Sequence, residues 1–329
     1  MENAIKSRLQ SLSLGEPETY KNIAIVPLTA PVDGAFQYRT LGEALAAGDL
    51  VITEISANGS VPELLVVNRG NKPVLLIDGE ELAGAKQNRV LNTSILLKEA
   101  SETKIPVSCT EQGRWAYASK AFSESGHVMN YRARYKKTQS VHCSLEATGT
   151  YHSDQGEVWY GIANLQAKAC APSPTSAMSD VYKAREVDLH RCDEIFKSAP
   201  NQVGLVAFIN DQTAGMDMVS LTASYAEIHA KLVRSYALDG LLEPKLQTPA
   251  PEGFATQANK FQDEITAAEE RQFPSVGYGT DHRLKGKELA GAALIHENEV
   301  IHAAFFRVAG IERPERMASY RDRRRHSHE

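Results

Sequence analysis

Long hydrophobic runs are missing from this 329-residue chain: no window approaches the 18 consecutive apolar residues that a membrane-spanning helix needs. Met1 to Gly15 carries no apolar core of signal-peptide length, so export is not expected and a cytoplasmic setting is the default expectation. Cysteine is scarce. Cys109, Cys143, Cys170 and Cys192 stand far apart with no C-x-x-C pair, which argues against a disulfide framework and a zinc ribbon and for reduced thiols. Also absent are H-E-x-x-H, an EF-hand loop, a G-x-S-x-G elbow, a P-loop and the dinucleotide-binding glycine fingerprint; Gly277-Tyr278-Gly279 is isolated. A strong charge imbalance is lacking too. With 36 Lys and Arg against 41 Asp and Glu, the net charge of -5 gives no global attraction to nucleic acid or to an anionic membrane. The basic run Tyr131 to Lys137 is read on that background as a solvated face in a long loop with some helix.

What is present is an ordinary globular composition, 42% hydrophobic and 23% charged, in a chain long enough for two packed lobes. Short apolar runs bounded by turn residues predict strands at Ile23–Val26, Leu50–Ile55, Leu64–Val67, Val74–Ile77, Val90–Leu97 and Thr103–Cys109. Asn68-Arg69-Gly70-Asn71 predicts a hairpin that folds Val74–Ile77 back on Leu64–Val67. Pro106 cannot donate to a ladder, which places its strand at an edge or a bulge. Asp154 followed by Glu157 predicts a helix start, with Val158, Ile162 and Leu165 on one face; a second helix follows from Ser179 or Asp180. Val203–Ile209 and Met216–Leu221 flank an Asn210-Asp211 turn, Ser224 and Glu227 form a capping-box signature, and Leu289–Ile295 with Val300–Phe306 reads as a hairpin. The expected class is α+β: a β-rich lobe over 20–150, a helical connector over 151–200, a strand-helix-hairpin lobe over 201–311 and a charged tail over 312–329.

Chemistry concentrates between Asp78 and Trp115. Asp78-Gly79-Glu80-Glu81-Leu82-Ala83-Gly84-Ala85-Lys86-Gln87-Asn88-Arg89 puts three carboxylates, two cations and two amides in twelve positions after a buried strand, and Lys86, Gln87, Asn88 and Arg89 are donors suited to phosphate, ribose or carboxylate. The plainer alternative is a solvated connection between strands. In Ile105-Pro106-Val107-Ser108-Cys109-Thr110-Glu111-Gln112-Gly113-Arg114-Trp115, strand alternation carries Glu111 inward, where burial suits it to acid or base work, unless Arg114 neutralises it. Cys109 on an apolar face reads as a core thiol, and Trp115 is available to stack on a ring. Asp78, Glu80, Glu81, Glu111 and Asp217 are the residues a metal would use; no metal-ligand spacing is present, and oxygen-ligated magnesium stays open. His302, among apolar strand residues, reads as a satisfied core histidine.

The stretches Leu75–Ser94 and Ile105–Trp115, with Ser153-Asp154-Gln155-Gly156-Glu157-Val158-Trp159 and Lys231-Leu232-Val233-Arg234-Ser235-Tyr236-Ala237-Leu238-Asp239, resemble the ARPP family from about Tyr20 to Phe306. That family is named for association with ADP-ribosylglycohydrolase and the rhodanese-phosphatase superfamily. The resemblance implies a role near NAD-derived nucleotide or ADP-ribose metabolism without assigning a reaction. Three functions follow from these residues. In a hydrolase, Glu81 or Glu111 is the acid or base, Lys86 and Arg89 hold phosphate, Gln87 and Asn88 orient the ribose, and Trp115 stacks. In a non-catalytic sensor of the same small-molecule ligand, Lys86, Arg89 and Arg114 suffice. In a scaffold, the polar motifs only join two lobes.

Overall fold

The computed structural model describes residues 3–56, 59–244 and 253–308; the charged tail expected over 312–329 lies outside the described residues. The chain runs through α1 (Asn3–Ser11), β1 (Ser13–Leu14), β2 (Glu18–Tyr20), β3 (Ile23–Thr29), β4 (Arg39–Thr40), α2 (Leu41–Ala46), β5 (Leu50–Glu54) and β6 (Glu63–Asn68). The motif region supplies β7 (Val74–Leu76), β8 (Glu80–Gly84), β9 (Arg89–Leu91), β10 (Ile95–Leu97), β11 (Ser101–Cys109) and β12 (Phe122–Val128). Helices α3 (Tyr131–Thr148), α4 (Gln155–Ala169), α5 (Met178–Ala184) and α6 (Glu186–Ile195) lead to β13 (Gln202–Ile209) and β14 (Gln212–Val219). Then come α7 (Thr222–Leu242), α8 (Phe254–Thr266), β15 (Glu269–Pro274), β16 (Thr280–Lys285), β17 (Leu289–His296) and β18 (Glu299–Arg307). The class is α+β, as the sequence pattern predicts, and no described helix is long and apolar enough to cross a membrane.

The largest sheet has the strand order β1-β3-β13-β14-β18-β17-β16-β15, with β2 on β3, all antiparallel. Both of its faces are covered. Along β3, Ile23 and Ile25 join a core with α3 to α7, while Ala24, Val26 and Leu28 face a second core with α1 and α8, the alternation that a two-sided sheet demands. The Ile23 strand, read in sequence as the opening of the first lobe, therefore pairs with β13 across nearly two hundred residues of chain. A second sheet runs β12-β8-β9-β11-β6-β5 and shelters a third core of Leu64, Val66, Leu82, Leu91, Ile105 and Val107.

The expected hairpin between Leu64–Val67 and Val74–Ile77 does not form. Val74–Leu76 pairs instead with β10 and, in parallel, with β4, while β6 lies between β5 and β11. Asn68 explains the departure, since its Nδ2 donates to Lys72 O and Lys98 O and its Oδ1 accepts from Gly70 N, steering the chain out of its sheet. Pro106 is not at an edge either. It sits within β11 where that strand leaves β6 for β9, and Val107 N finds Pro62 O while Pro106 O accepts from Asn92 N, so no ladder donor is missed.

Local signals did set several boundaries. Asp154 caps α4 by accepting from Glu157 N at 3.1 Å, and Asn210-Asp211 and Glu297-Asn298 all take positive φ in two-residue hairpin turns. The Ser224 box does not cap α7, which starts at Thr222. Its first turn is held by Asp33, far away in sequence, whose Oδ1 accepts from Thr222 N at 2.8 Å and from its hydroxyl at 2.5 Å. Asp33→Ala is expected to cost about 1 kcal/mol, as lost helix caps do, read as a lower denaturant midpoint at unchanged slope; an unmoved midpoint would show the cap contributes nothing.

The basic run Tyr131 to Lys137 is the largest correction to the sequence reading. It forms the first two turns of α3, and Tyr131, Arg134, Tyr135 and Lys137 are buried instead of solvated. Arg134 donates through both terminal nitrogens to Asp217, at 2.7 and 3.0 Å, and through Nε to Asp78 at 3.4 Å; Lys137 completes the set on Asp78 and on Leu91 O. The two cations thus tie the motif region to β14, and Arg134 also lies 4.6 Å over the Phe306 ring.

Candidate functional site

The polar motifs converge in space. The turn from Ala85 to Asn88 joins β8 to β9, and β9 pairs with the end of β11, bringing Asp78–Arg89 against Val107–Trp115. Gln155, from the third quoted motif, exchanges hydrogen bonds with the Cys109 backbone at 2.8 and 2.9 Å. Lys231, from the fourth, pairs with Glu80 and with Glu124.

Register divides the candidate residues between two faces of this sheet. Leu82, Arg89 and Cys109 are cross-strand partners and share one face; Glu81, Val90 and Ser108 share the other. Glu81 and Arg89, each assigned in sequence to one active site, therefore look in opposite directions.

On the Arg89 face, Arg89 is completely buried. Its Nη1 donates to Gln87 Oε1 at 3.0 Å, whereas Nε and Nη2 have no hydrogen-bond partner among the described residues; Glu54 Oε1 is 3.8 Å from Nη2. Glu54 Oε2 is buried and likewise without a hydrogen-bond partner among the described residues. Burial lowers the pKa of Arg89, with Cys109 and Glu54 acting against that. Above it lies Trp115, 49% exposed, its ring 5.7 Å from the Arg89 guanidinium. Lys86 Nζ stands 5.2 Å from the Trp115 ring and 5.1 Å from that of Tyr117, which is also exposed. Two cations, two accessible aromatic rings and one buried carboxylate thus meet at one point.

Of the remaining residues singled out as ligand donors, Arg114 is spent on the scaffold, and Gln87 and Asn88 are held to it through their side-chain oxygens. Arg114 donates to Ala85 O at 2.7 Å, Ala116 O at 3.0 Å, Gly84 O at 3.3 Å, Asn88 Oδ1 at 3.1 Å and Glu111 Oε2 at 2.6 Å, clamping the turn. Asn88 Oδ1 also accepts from Gly84 N, and Gln87 Oε1 accepts from Cys109 Sγ at 3.0 Å. Cys109 is a buried thiol whose pKa burial raises.

The two carboxyls considered for acid or base work differ sharply. Burial would raise the Glu111 pKa, but Arg114, the Thr175 hydroxyl at 2.8 Å and Asn88 N at 3.2 Å more than offset it and hold the group ionised. No cation among the described residues pairs with Glu81. It is fully buried, Oε1 accepts from Thr110 at 2.6 Å and Oε2 has no hydrogen-bond partner among the described residues, so burial, added to by Glu111 and Asp180 and tempered by the Thr110 and Ser125 hydroxyls, pushes its pKa up to about 7.

The carboxylates named as metal candidates are distributed among separate partners: Asp78 with Lys137 and Arg134, Glu80 with Lys231, Glu111 with Arg114, and Asp217 with Arg134 and the Tyr236 hydroxyl. Among the described residues no three His, Cys, Asp or Glu side chains are grouped to hold a metal ion. His302 is buried, with Nδ1 2.8 Å from Ser94 Oγ, and burial pushes its pKa down to about 4. Sequence reasoning missed Glu54 and Tyr117. Glu54 was legible as the charged residue at the inward parity Leu50, Ile52, Glu54 of β5, a pattern that a core strand does not need. Arg134 and Lys137 had no such signal.

The architecture defines an α+β domain in which a motif-bearing sheet is tied by buried ion pairs to a large antiparallel sheet. The chain belongs to the ARPP-1 family, the ARG and rhodanese-phosphatase-superfamily-associated protein domain, whose model matches residues 11–306. No curated protein and no solved structure matches the chain.

Proposed function

We propose that this protein captures an anionic, ring-bearing ligand of the nucleotide or ADP-ribose kind at the Arg89 face. One observation carries the reading: a wholly buried guanidinium, in only a long ion pair with Glu54, with two of its nitrogens and one Glu54 oxygen lacking a hydrogen-bond partner among the described residues, directly under an exposed tryptophan. Leaving a buried polar atom unsatisfied costs about 1–3 kcal/mol, a penalty that a bound ligand would relieve. Arg89 and Lys86 would meet the phosphate oxygens, Glu54 would accept from a hydroxyl or an amine, and Trp115 would stack on the ring for about 1–3 kcal/mol. The family's association with ADP-ribosylglycohydrolase supports the choice of ligand. A reducing, cytoplasmic setting belongs to the same proposal, since all four cysteines are free.

Hydrolysis of the ligand is the second reading, favoured by Glu81 alone, whose carboxyl is poised for proton transfer at neutral pH. It requires the substrate to reach the face of the sheet opposite Arg89.

Binding is tested by titrating ADP-ribose while following tryptophan fluorescence and thermal stability, then assaying for products by chromatography. ADP-ribose at about 100 times its Kd would stabilise the fold by about 2.7 kcal/mol. Trp115→Ala, at an exposed position, is expected to abolish the stabilisation and Glu111→Gln to preserve it. Failure of ADP-ribose, NAD and AMP alike to shift stability or fluorescence at millimolar concentration would overturn the binding reading, and product formation lost in Glu81→Gln would replace it with the hydrolase.

A further inference from the structure

We propose that the cleft between β12, α5, α6 and α7 is a second small-molecule site, one that takes a phosphorylated polyol such as a pentose phosphate. It is separate from the Arg89 cluster and does not depend on what that cluster binds.

The cleft encloses about 400 Å³ and is lined by His127, Asp180, Lys183, Glu186, His190 and Arg234, with Tyr182 and Ser179 between them. That volume lies in the range of small-ligand sites, about 300–1,000 Å³. It also lies on the Glu81 side of the motif sheet, because Asp180 and Ser125 both act on the Glu81 carboxyl.

His127 is its best-defined group. The imidazole stacks on Tyr182 with ring centroids 4.3 Å apart and planes at 18°, and Tyr182 is itself fixed by donating to Val128 O at 2.5 Å. Nδ1 of His127 is buried and has no hydrogen-bond partner among the described residues. Burial, with Arg234 adding to it, pushes the His127 pKa down to about 4, so the ring is neutral at physiological pH and offers one donor and one acceptor. Arg234 spends Nε and Nη2 on Asp193, at 3.0 and 2.5 Å, which fixes its plane and leaves Nη1 as the donor for a ligand.

The signs of the lining groups select the ligand. Asp180 and Glu186 would repel a bare anion, and Lys183 and Arg234 a bare cation. A compound with several hydroxyls and one phosphate satisfies both sets: its hydroxyls meet the carboxylates, Ser179 and the neutral His127, and its phosphate meets Lys183, His190 and Arg234.

The test uses the full chain and ribose 5-phosphate as probe, with calorimetry for affinity and imidazole nitrogen resonances for location, His127 being assigned by loss of its signal in His127→Gln. Saturable binding that moves the His127 resonance is expected. Lys183→Glu, at an exposed position that should not disturb folding, is expected to weaken binding about tenfold or more by reversing a phosphate contact. Trp115→Ala should leave it unchanged. An unmoved His127 resonance at probe concentrations on the order of 10 mM would overturn the proposal, since weaker association is no site at all. Equal affinity for inorganic phosphate would overturn the polyol assignment, and loss of binding in Trp115→Ala would overturn the separateness of the two sites.

Discussion

Replacing Arg134 by Met should lower the stability of this protein by about 3–5 kcal/mol, a large share of the about 5–15 kcal/mol of an ordinary domain, because it leaves the Asp217 carboxylate in the core without its cation and Asp78 with Lys137 alone. The guanidinium is fully buried and its bidentate pairing with Asp217 is the only ion pair shorter than 3 Å that Asp217 makes among the described residues. Burial acts to lower the Arg134 pKa, and Asp217 with Asp78 more than offsets it, so the group stays charged throughout the accessible pH range. Chemical denaturation at neutral pH measures the effect. Arg134→Lys should recover little of the loss, since an ammonium cannot span both Asp217 oxygens and Asp78 at once. A loss below about 1 kcal/mol would mean that the pair behaves like a solvated one. Gly79 supports the same arrangement from the other side. Its φ is +85° and an added Cβ would lie 2.9 Å from Arg134 Nε, so this glycine is required twice over, by backbone conformation and by the cation packed on it.

Glu81→Gln should have the opposite sign above pH 7, raising stability by about 3 kcal/mol there. The direction follows from linkage. The folded pKa, about 7, lies above the ordinary value of 4.5, so the folded state holds its proton more tightly than the unfolded chain does. The stability this supplies is fully present below about pH 4.5 and is lost as pH rises toward 7, after which it no longer changes. The amide removes the slope while its oxygen still accepts from Thr110. Asp239, pushed up to about 6 by burial against the donors Asn130 and Arg132 N, contributes a smaller loss of the same sign, which should survive in the Glu81→Gln protein. Urea midpoints of both proteins from pH 5 to 8 check this. Parallel curves would mean that Glu81 is ionised in the fold at neutral pH, and would remove it as a proton donor too.

Glu81 and Arg89 mark how far the sequence could be read. Both are in the dense motif, and their types were taken as unusual after a buried strand. Their opposition across the sheet was not legible, because it depends on which strand β9 meets and at which register, and a shift of one residue would have put them on the same side. Arg114 illustrates the same point. Its donors were countable in sequence, but whether a donor is free for a ligand depends on backbone carbonyls such as Ala85 O and Gly84 O that only the folded turn presents.

Although β8 and β12 went unread and Val90–Leu97 proved to be two strands in different sheets, the sequence by itself determined elements whose information is local: strands β3, β5, β6, β7, β11, β13, β17 and β18, the Asp154 cap of α4, the Asn210-Asp211 turn, the α+β class and the family. Each rests on side-chain periodicity or turn chemistry within a dozen residues. The tertiary structure alone decided the pairing of β3 with β13, the Asp33 cap on α7, the burial of Arg134 and Lys137, and the division of the motif between two faces. All four are contacts between residues far apart in the chain. A basic helix beginning at Tyr131 reads as solvated until Asp217 and Asp78 are brought to it, because what makes a buried cation tolerable is a partner, and a partner is a property of the fold.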